Sequence, residues 1–218
     1  MNHNPKAFRI LCYGDSNTWG RSGNSTQRYP ANIRWTGILQ ASLGDDYEII
    51  EAGLRGRTTN LDDANLKGKN GQKYLSVFLE THQPLNLIIL WLGTNDLQEQ
   101  YQRTPREISL AVKGLIHQIK SQSVNSDNTP TDVLLVSPPL VREDYLKSET
   151  KFKGAGVKSK ELGKLYQKVA DETNSLFIDL ATLIKAGEKD GVHLEPEAHQ
   201  VVAKVFEKVV KQIKKGQK

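Results

Sequence analysis

The 218 residues of the chain, 37% hydrophobic and 25% charged, predict one globular domain over 1–218 rather than a disordered protein. The single cysteine excludes an intrachain disulfide and a multi-cysteine metal site. The sequence has no secretory apolar segment and no run of about 18 apolar residues, which predicts a cytoplasmic protein without a membrane partner. The net charge of +5 lies in residues 204–218, which hold six lysines and one glutamate, so a nucleic-acid partner is not predicted.

Five short apolar runs predict the strands of a parallel sheet. Each run is nearly continuous and rich in Ile, Leu and Val, as expected for strands that are buried on both faces. In chain order they are FRILCYG (8–14), YEIIEAG (47–53), LNLIILWLG (85–93), TDVLLVSPP (131–139) and SLFIDL (175–180). Cys12 lies in the first run, and we expect its thiol to be buried.

Segments with helical periodicity alternate with these runs. The clearest opens with Thr104, Pro105 and Glu107, which is a capping-box pattern. The predicted helices cover 34–44, 104–122, 158–174 and 195–215, and the long polar loops cover 20–33, 60–73 and 140–157. Alternating strands and helices predict an α/β fold, a three-layer α/β/α sandwich with a five-stranded parallel sheet.

Polar, glycine-containing turns follow the first three predicted strands. They read GDSNTWG, EAGLRGRTT and LGTNDL. The carboxyl ends of parallel strands meet at one edge of a sheet. We therefore expect Ser16, the backbone amides near Gly53 and Gly56, and Asn95 to share one crevice. Ser16 alone is ambiguous, because serine is also a common helix N-cap.

A serine hydroxyl needs a base before it can act as a nucleophile. His193 stands in the loop KDGVHL with Asp190 in an Asp-x-x-His spacing, which lets the carboxylate hold one imidazole nitrogen while the other faces a serine. His199 remains the alternative base, although it lies inside the predicted last helix. The sequence lacks dinucleotide, phosphate-loop and His-Glu-x-x-His motifs, so neither a cofactor nor a metal is predicted.

Four blocks, GDSNTWG, the glycine turn after the second strand, GTND and DGVHL, resemble in this order the SGNH, or GDSL-type, hydrolases. The longer stretches RWTGILQ, EAGLRGRTTNLDD and VSPP are similar to the arylesterase and acyltransferase branch. The resemblance implies the flavodoxin-like SGNH hydrolase fold and a homo-oligomer without a cofactor. It also implies a serine esterase that cleaves small acetyl-type or aryl esters through an acyl-enzyme, with acyl transfer to alcohols as a further outcome.

The same resemblance implies roles for individual residues. Ser16 would be the nucleophile, His193 the general base and then acid, and Asp190 the orienting carboxylate. The oxyanion would be held by the side chain of Asn95 and by the backbone N–H groups of Ser16 and Gly56.

Two further residues, Gly53 and Asp15, lie in the same turns. Gly53 stays open as an alternative to Gly56, because a backbone donor needs no particular side chain. Asp15 is interpreted as a structural residue whose carboxylate binds nearby backbone amides and holds the turn.

Two positions depart from the pattern of the family. Asn17 stands where leucine is usual, and Arg21 stands where the close branch often has a bulky apolar residue. Both are expected to border the pocket, which leaves carbohydrate O-deacetylation, thioester cleavage and a non-catalytic binding module as alternatives. The further pocket-lining candidates, chosen because they neighbour motif residues, are Trp19, Thr94, Gln98 and Val192.

Overall fold

The computed structural model describes residues 3–63, 65–147 and 149–216. Its centre is one five-stranded sheet in the order β2-β1-β3-β4-β5. All strand pairs are parallel, as predicted. The strands are β1 (Phe8–Gly14), β2 (Tyr47–Gly53), β3 (Leu87–Trp91), β4 (Asp132–Ser137) and β5 (Leu176–Asp179).

Helices cover both faces of the sheet. They are α1 (Ser16–Trp19), α2 (Trp35–Leu43), α3 (Gly71–His82), α4 (Pro105–Gln122), α5 (Ala155–Glu172) and α6 (Pro196–Gly216). One buried core contains α2 and α6, where Trp35 packs edge-on against Phe206. The other core contains α3, α4 and α5. The predicted three-layer sandwich is therefore confirmed.

The prediction of a loop over 60–73 is wrong at its end, where α3 begins. The side chain of Asn70 caps this helix by accepting a hydrogen bond from the Lys73 N–H at 3.1 Å. Gly71 packs so tightly that a Cβ there would lie 2.6 Å from the Thr58 carbonyl oxygen. His82 is the last residue of α3. The helix also has an apolar side that the sequence prediction overlooked, because Leu75, Phe78 and Leu79 stand at helical spacing and pack into the core.

The loop predicted over 140–157 also contains regular structure. It includes two short 3-10 helices, Glu143–Tyr145 and Thr150–Phe152, and the first turn of α5, which begins at Ala155. The predicted capping box of α4 is present, because Thr104 and Glu107 exchange hydrogen bonds between side chain and backbone N–H.

The strand register places three loops at the same level of the sheet. Gly14, the last residue of β1, is paired with Gly53 of β2 on one side and with Trp91 of β3 on the other. The turns that follow these three strands therefore start side by side, at the edge where α/β folds form their binding sites.

Two further predictions concern the thiol of Cys12 and membrane-spanning helices. Cys12 is fully buried in β1, as expected, and burial raises the pKa of its thiol, with the negative charge of Glu51 adding to the effect. None of the helices in the described ranges combines the length and apolar character that a membrane-spanning segment needs.

Candidate active site

In the turn after β1, the serine is nearly buried and the aspartate caps the helix that follows. Asp15 is the N-cap of α1, and its Oδ1 atom accepts a hydrogen bond from the Asn17 N–H at 2.9 Å. The structural role interpreted for Asp15 is thus confirmed. Ser16 is the first residue of the helix, so it is not the N-cap. A Cβ on Gly53 would lie 2.3 Å from the Trp19 nitrogen, which shows how closely β2 packs against this turn.

The structure brings together three predicted residues from the two ends of the chain. The Ser16 hydroxyl lies 2.9 Å from Nε2 of His193, and Nδ1 of His193 lies 2.6 Å from Oδ2 of Asp190. With Nδ1–H donating to the carboxylate, Nε2 is free to accept the hydroxyl proton. The second carboxylate oxygen, Oδ1, accepts hydrogen bonds from the Val192 and His193 N–H groups at 3.0 and 2.9 Å.

Two buried carboxylates near the serine have opposite pKa shifts. Burial raises the pKa of Asp190, but the hydrogen bond and charge of His193, with two backbone N–H groups, outweigh it and hold this pKa well below its usual range. Burial raises the pKa of Asp15 to about 6, although the Asn17 N–H and the charge of His193 oppose the shift. Asp190 is therefore the carboxylate that stays ionised and can stabilise a positive imidazolium.

Asn95 is held at the same edge by two neighbours. Its Nδ2 atom donates to the Arg57 carbonyl oxygen at 3.0 Å, and its Oδ1 atom accepts from Nε2 of Gln98 at 3.1 Å. Nδ2 carries a second hydrogen, which this arrangement leaves available for another acceptor. The Arg57 guanidinium in turn donates to the Gly14 carbonyl oxygen at 2.8 Å, which ties the second turn to the end of β1.

The two candidate glycines of the second turn have different surroundings. Gly56 has a φ of +75°, and a Cβ there would come no closer than 3.9 Å to other atoms. Within the described residues, its N–H and that of Ser16 make no hydrogen bond to the protein. Gly53 instead lies within β2, against the backbone of α1. Of the two, Gly56 lies in the more open position.

Asn17 and Val192 contribute to the architecture around His193 rather than to a pocket wall. The Asn17 side chain is 1% exposed and bonds to the backbone of Val192 and Leu194. The Val192 side chain packs into the core beside α4 and α5.

Thr94 and Trp19, two further pocket candidates, differ in their surroundings. Thr94 is 4% exposed. The Trp19 ring contacts two guanidinium groups, those of Arg28 and Arg55, at 5.5 and 4.9 Å from its centroid.

Arg21 forms an ion pair that the sequence did not predict. Its Nη2 atom lies 2.8 Å from Oε1 of Glu149, a side chain only 7% exposed, and Lys151 approaches the other carboxylate oxygen at 3.3 Å. Glu149 comes from the loop over 140–157, where the sequence offers many charges and no signal that selects this one.

One group of acidic and histidine side chains in the described ranges has possible metal-ligand atoms close together. Glu149, Asp190 and His193 place one such atom each within 4.8 Å of one another. These atoms already have partners, since Glu149 pairs with Arg21 and Asp190 with His193. A cation there would have to displace an arginine and break the Asp190–His193 bond, so the group fits a hydrogen-bond network better than a metal site.

His199, the alternative base, is directed to another part of the core. Its Nδ1 atom accepts a hydrogen bond from the Trp35 N–H at 3.3 Å. Burial lowers the pKa of His199 to about 4, and the charge of His193 adds to the shift. It makes no hydrogen bond to Ser16 in the part of the chain that the structure describes.

Comparisons with known proteins agree with this arrangement. Residues 12–201 match the GDSL-like lipase/acylhydrolase family. A search of curated proteins gives no match. An aryl esterase from M. smegmatis is similar, with 36% identity and a TM-score of 0.88 over 95% of this chain and 100% of that one. A carbohydrate acetylesterase from Sinorhizobium meliloti has 39% identity and a TM-score of 0.88 over 94% and 99% of the two chains. The chain therefore belongs to the GDSL-like lipase/acylhydrolase family and is an ester hydrolase.

Proposed function

We propose that this esterase cleaves short-chain acyl esters, of the acetyl or aryl type, through an acyl-enzyme on Ser16. The observation that carries the proposal is the continuous hydrogen-bond chain from the Ser16 hydroxyl through His193 to the Asp190 carboxylate, with steps of 2.9 and 2.6 Å. A serine, an imidazole and a buried carboxylate in this order form a catalytic triad, which activates the hydroxyl as a nucleophile.

The geometry supports the following acylation step. Ser16 Oγ attacks the carbonyl carbon of the ester while its proton passes to Nε2 of His193. The resulting imidazolium is stabilised by Asp190, whose low pKa keeps it ionised. Collapse of the tetrahedral intermediate breaks the bond to the alcohol oxygen, which takes the proton from Nε2. Water then attacks the acyl-enzyme while one of its protons passes to Nε2 of His193. Collapse of this second tetrahedral intermediate releases the carboxylic acid, and Ser16 Oγ takes the proton back from Nε2.

Three donors are proposed to hold the negative oxygen of the tetrahedral intermediate. They are the backbone N–H groups of Ser16 and Gly56 and the second Nδ2 hydrogen of Asn95. The first two have no protein acceptor among the described residues, and the third is oriented by Arg57 and Gln98. One donor of this kind contributes about 2.7–4 kcal/mol of transition-state stabilisation.

We infer a preference for small acyl groups from the burial of the reacting residues. Ser16 and His193 are only 5% and 2% exposed, so access to the Ser16 hydroxyl is restricted. The similarity to an aryl esterase and to a carbohydrate acetylesterase supports small esters as substrates.

A second candidate function is removal of acetyl groups from carbohydrate hydroxyls. The observation that favours it is the Arg21–Glu149 pair, because the Glu149 carboxylate lies close to Asp190 and His193 and charged groups of this kind bind sugar hydroxyls. Acyl transfer to an alcohol instead of water would use the same acyl-enzyme. A cytoplasmic location and a homo-oligomeric state stay predictions.

The test compares p-nitrophenyl acetate, butyrate and octanoate with acetylated sugars, using the wild type and Ser16→Ala. We expect the wild type to favour the acetyl ester and Ser16→Ala to lose activity on every substrate. Mass spectrometry of the quenched wild-type reaction should detect one acetyl group on Ser16. Equal activity of the two proteins would contradict the proposal, and a preference for acetylated sugars would select the second candidate.

A further inference from the structure

We propose that Asn17 is a positioning residue whose side-chain amide sets the placement of His193 relative to Ser16. This inference rests on the proposed function, because it assigns to Asn17 the support of the Ser16–His193 pair. The residue follows Ser16 directly in the chain, yet its side chain bonds to the loop at the other end of the sequence.

The amide of Asn17 brackets the residue that carries the imidazole. Its Nδ2 atom donates to the carbonyl oxygen of Val192 at 3.3 Å, and its Oδ1 atom accepts from the Leu194 N–H at 3.0 Å. These two backbone groups belong to the residues immediately before and after His193. The amide therefore holds the main chain on both sides of the histidine at once.

Asn17 is itself fixed by its own backbone. Its N–H donates to Oδ1 of Asp15 at 2.9 Å, and its carbonyl oxygen accepts from Nε1 of Trp35 at 3.2 Å. The residue is 1% exposed. Both of its side-chain atoms and both of its backbone groups thus have partners, so the amide cannot turn without losing hydrogen bonds.

Several hydrogen bonds shape the histidine loop from within. Asp190 accepts from the N–H groups of Val192 and His193, and the Gly187 N–H donates to the His193 carbonyl oxygen at 2.8 Å.

Other hydrogen bonds tie this loop to its surroundings. The Gly191 carbonyl oxygen accepts from the Arg142 N–H at 2.9 Å, and Oδ2 of Asp190 accepts from the Asn24 N–H at 3.3 Å. Among the described residues, the hydrogen bonds between the loop over 187–195 and the turn over 15–20 are those of the Asn17 amide and the Ser16–His193 contact itself.

The substitution Asn17→Leu tests this role, because leucine has a similar size but neither donor nor acceptor. A displacement of about 1 Å in a catalytic group can cost about 100-fold in rate. We expect kcat for p-nitrophenyl acetate to fall about 10- to 100-fold while KM changes less than about threefold. Labelling of Ser16 by an organophosphonate should slow by a similar factor. Asn17→Ala removes the same two bonds with a smaller side chain and serves as the second variant.

The matched control is Asn125→Leu. Asn125 is also buried, and it too makes two side-chain hydrogen bonds, to Thr129 at 2.7 Å and from the Asp127 N–H at 3.0 Å. It lies before β4, at the edge of the sheet opposite the serine. We expect Asn125→Leu to lower the urea midpoint of unfolding and to leave kcat unchanged.

The outcomes separate the two proposals. An inactive wild type would overturn the proposed function. An active wild type with an equally active Asn17→Leu would overturn only the positioning role. Equal losses of kcat in Asn17→Leu and Asn125→Leu, or failure of both Asn17 variants to fold, would show a structural residue and also overturn it. A selective loss of kcat in the two Asn17 variants supports it.

Discussion

Two buried histidines near the start of α6 differ in what their ring nitrogens contact. His193 has a hydroxyl on one nitrogen and a carboxylate on the other, whereas His199 accepts one backbone hydrogen bond and its Nε2 atom has no partner among the described residues. Burial lowers the pKa of His199 to about 4. The contrast teaches that burial alone does not make a histidine a catalytic base, and that a carboxylate and a hydroxyl on opposite nitrogens equip it to move a proton.

The largest expected effect separates the two histidines directly. His193→Ala removes the proposed base, so we expect kcat/KM for p-nitrophenyl acetate to fall on the order of 10⁵-fold and organophosphonate labelling of Ser16 to stop. His199→Ala should keep labelling and most of kcat, because His199 makes no contact with the serine in the described structure. Steady-state kinetics and mass spectrometry of labelled protein check both. Labelling that survives in His193→Ala would break the comparison.

The next effect tests the carboxylate that distinguishes His193. In Asp190→Asn, the amide can donate to Nδ1 and so place the imidazole proton on Nε2, facing Ser16. We expect kcat to fall about 10⁴-fold with little change in the fold. The assay is kcat for p-nitrophenyl acetate together with the circular dichroism spectrum. Activity close to that of the wild type would mean that Asp190 does not set the tautomer of His193.

The smallest effect concerns stability, and it sharpens the description of His199. Because its pKa is lowered in the folded state, acidification protonates the unfolded chain first, from about pH 6.5 downward. The stability linked to neutral His199 is complete above that pH and is lost as the pH falls towards 4. We expect the free energy of unfolding of the wild type, measured against His199→Gln, to fall by about 3 kcal/mol between pH 7 and pH 4.

Urea titrations at several pH values measure the free energy of unfolding of both proteins. Taking the difference cancels the contribution of Asp15, whose raised pKa has the opposite effect on stability. The control variant is His117→Gln, which replaces an exposed histidine on α4 in the same way. A wild-type stability that stays parallel to that of His199→Gln over the whole range would contradict the assignment.

The strands could be predicted from the sequence because apolar runs are local signals, and the residues around Ser16 because four separate blocks, in one order, resemble a known family. Continuous apolar runs marked β1 to β5, and family membership removes the non-catalytic binding module that the sequence left open. By contrast, α3 was not predicted, although Leu75, Phe78 and Leu79 have helical spacing; its start depends on the Asn70 cap and on the tight packing of Gly71.

The partners of two polar side chains could not be predicted from the sequence either. Asn17 was expected to line a pocket, but its partners are backbone groups from the far end of the chain. Glu149 was one acid among many in its loop until the fold placed it against Arg21. In both cases the partner is set by the tertiary structure, and the sequence alone does not show which group the side chain contacts.

The buried thiol of Cys12 has a practical consequence for chemical probes. A thiolate reacts with electrophiles far faster than a thiol does, and both burial and a raised pKa keep this group in the unreactive form. Since the chain has one cysteine, a second one placed at an exposed position such as Val157 would be the sole thiol open to a fluorophore. A dye attached there would mark one known position of α5 without modifying Ser16.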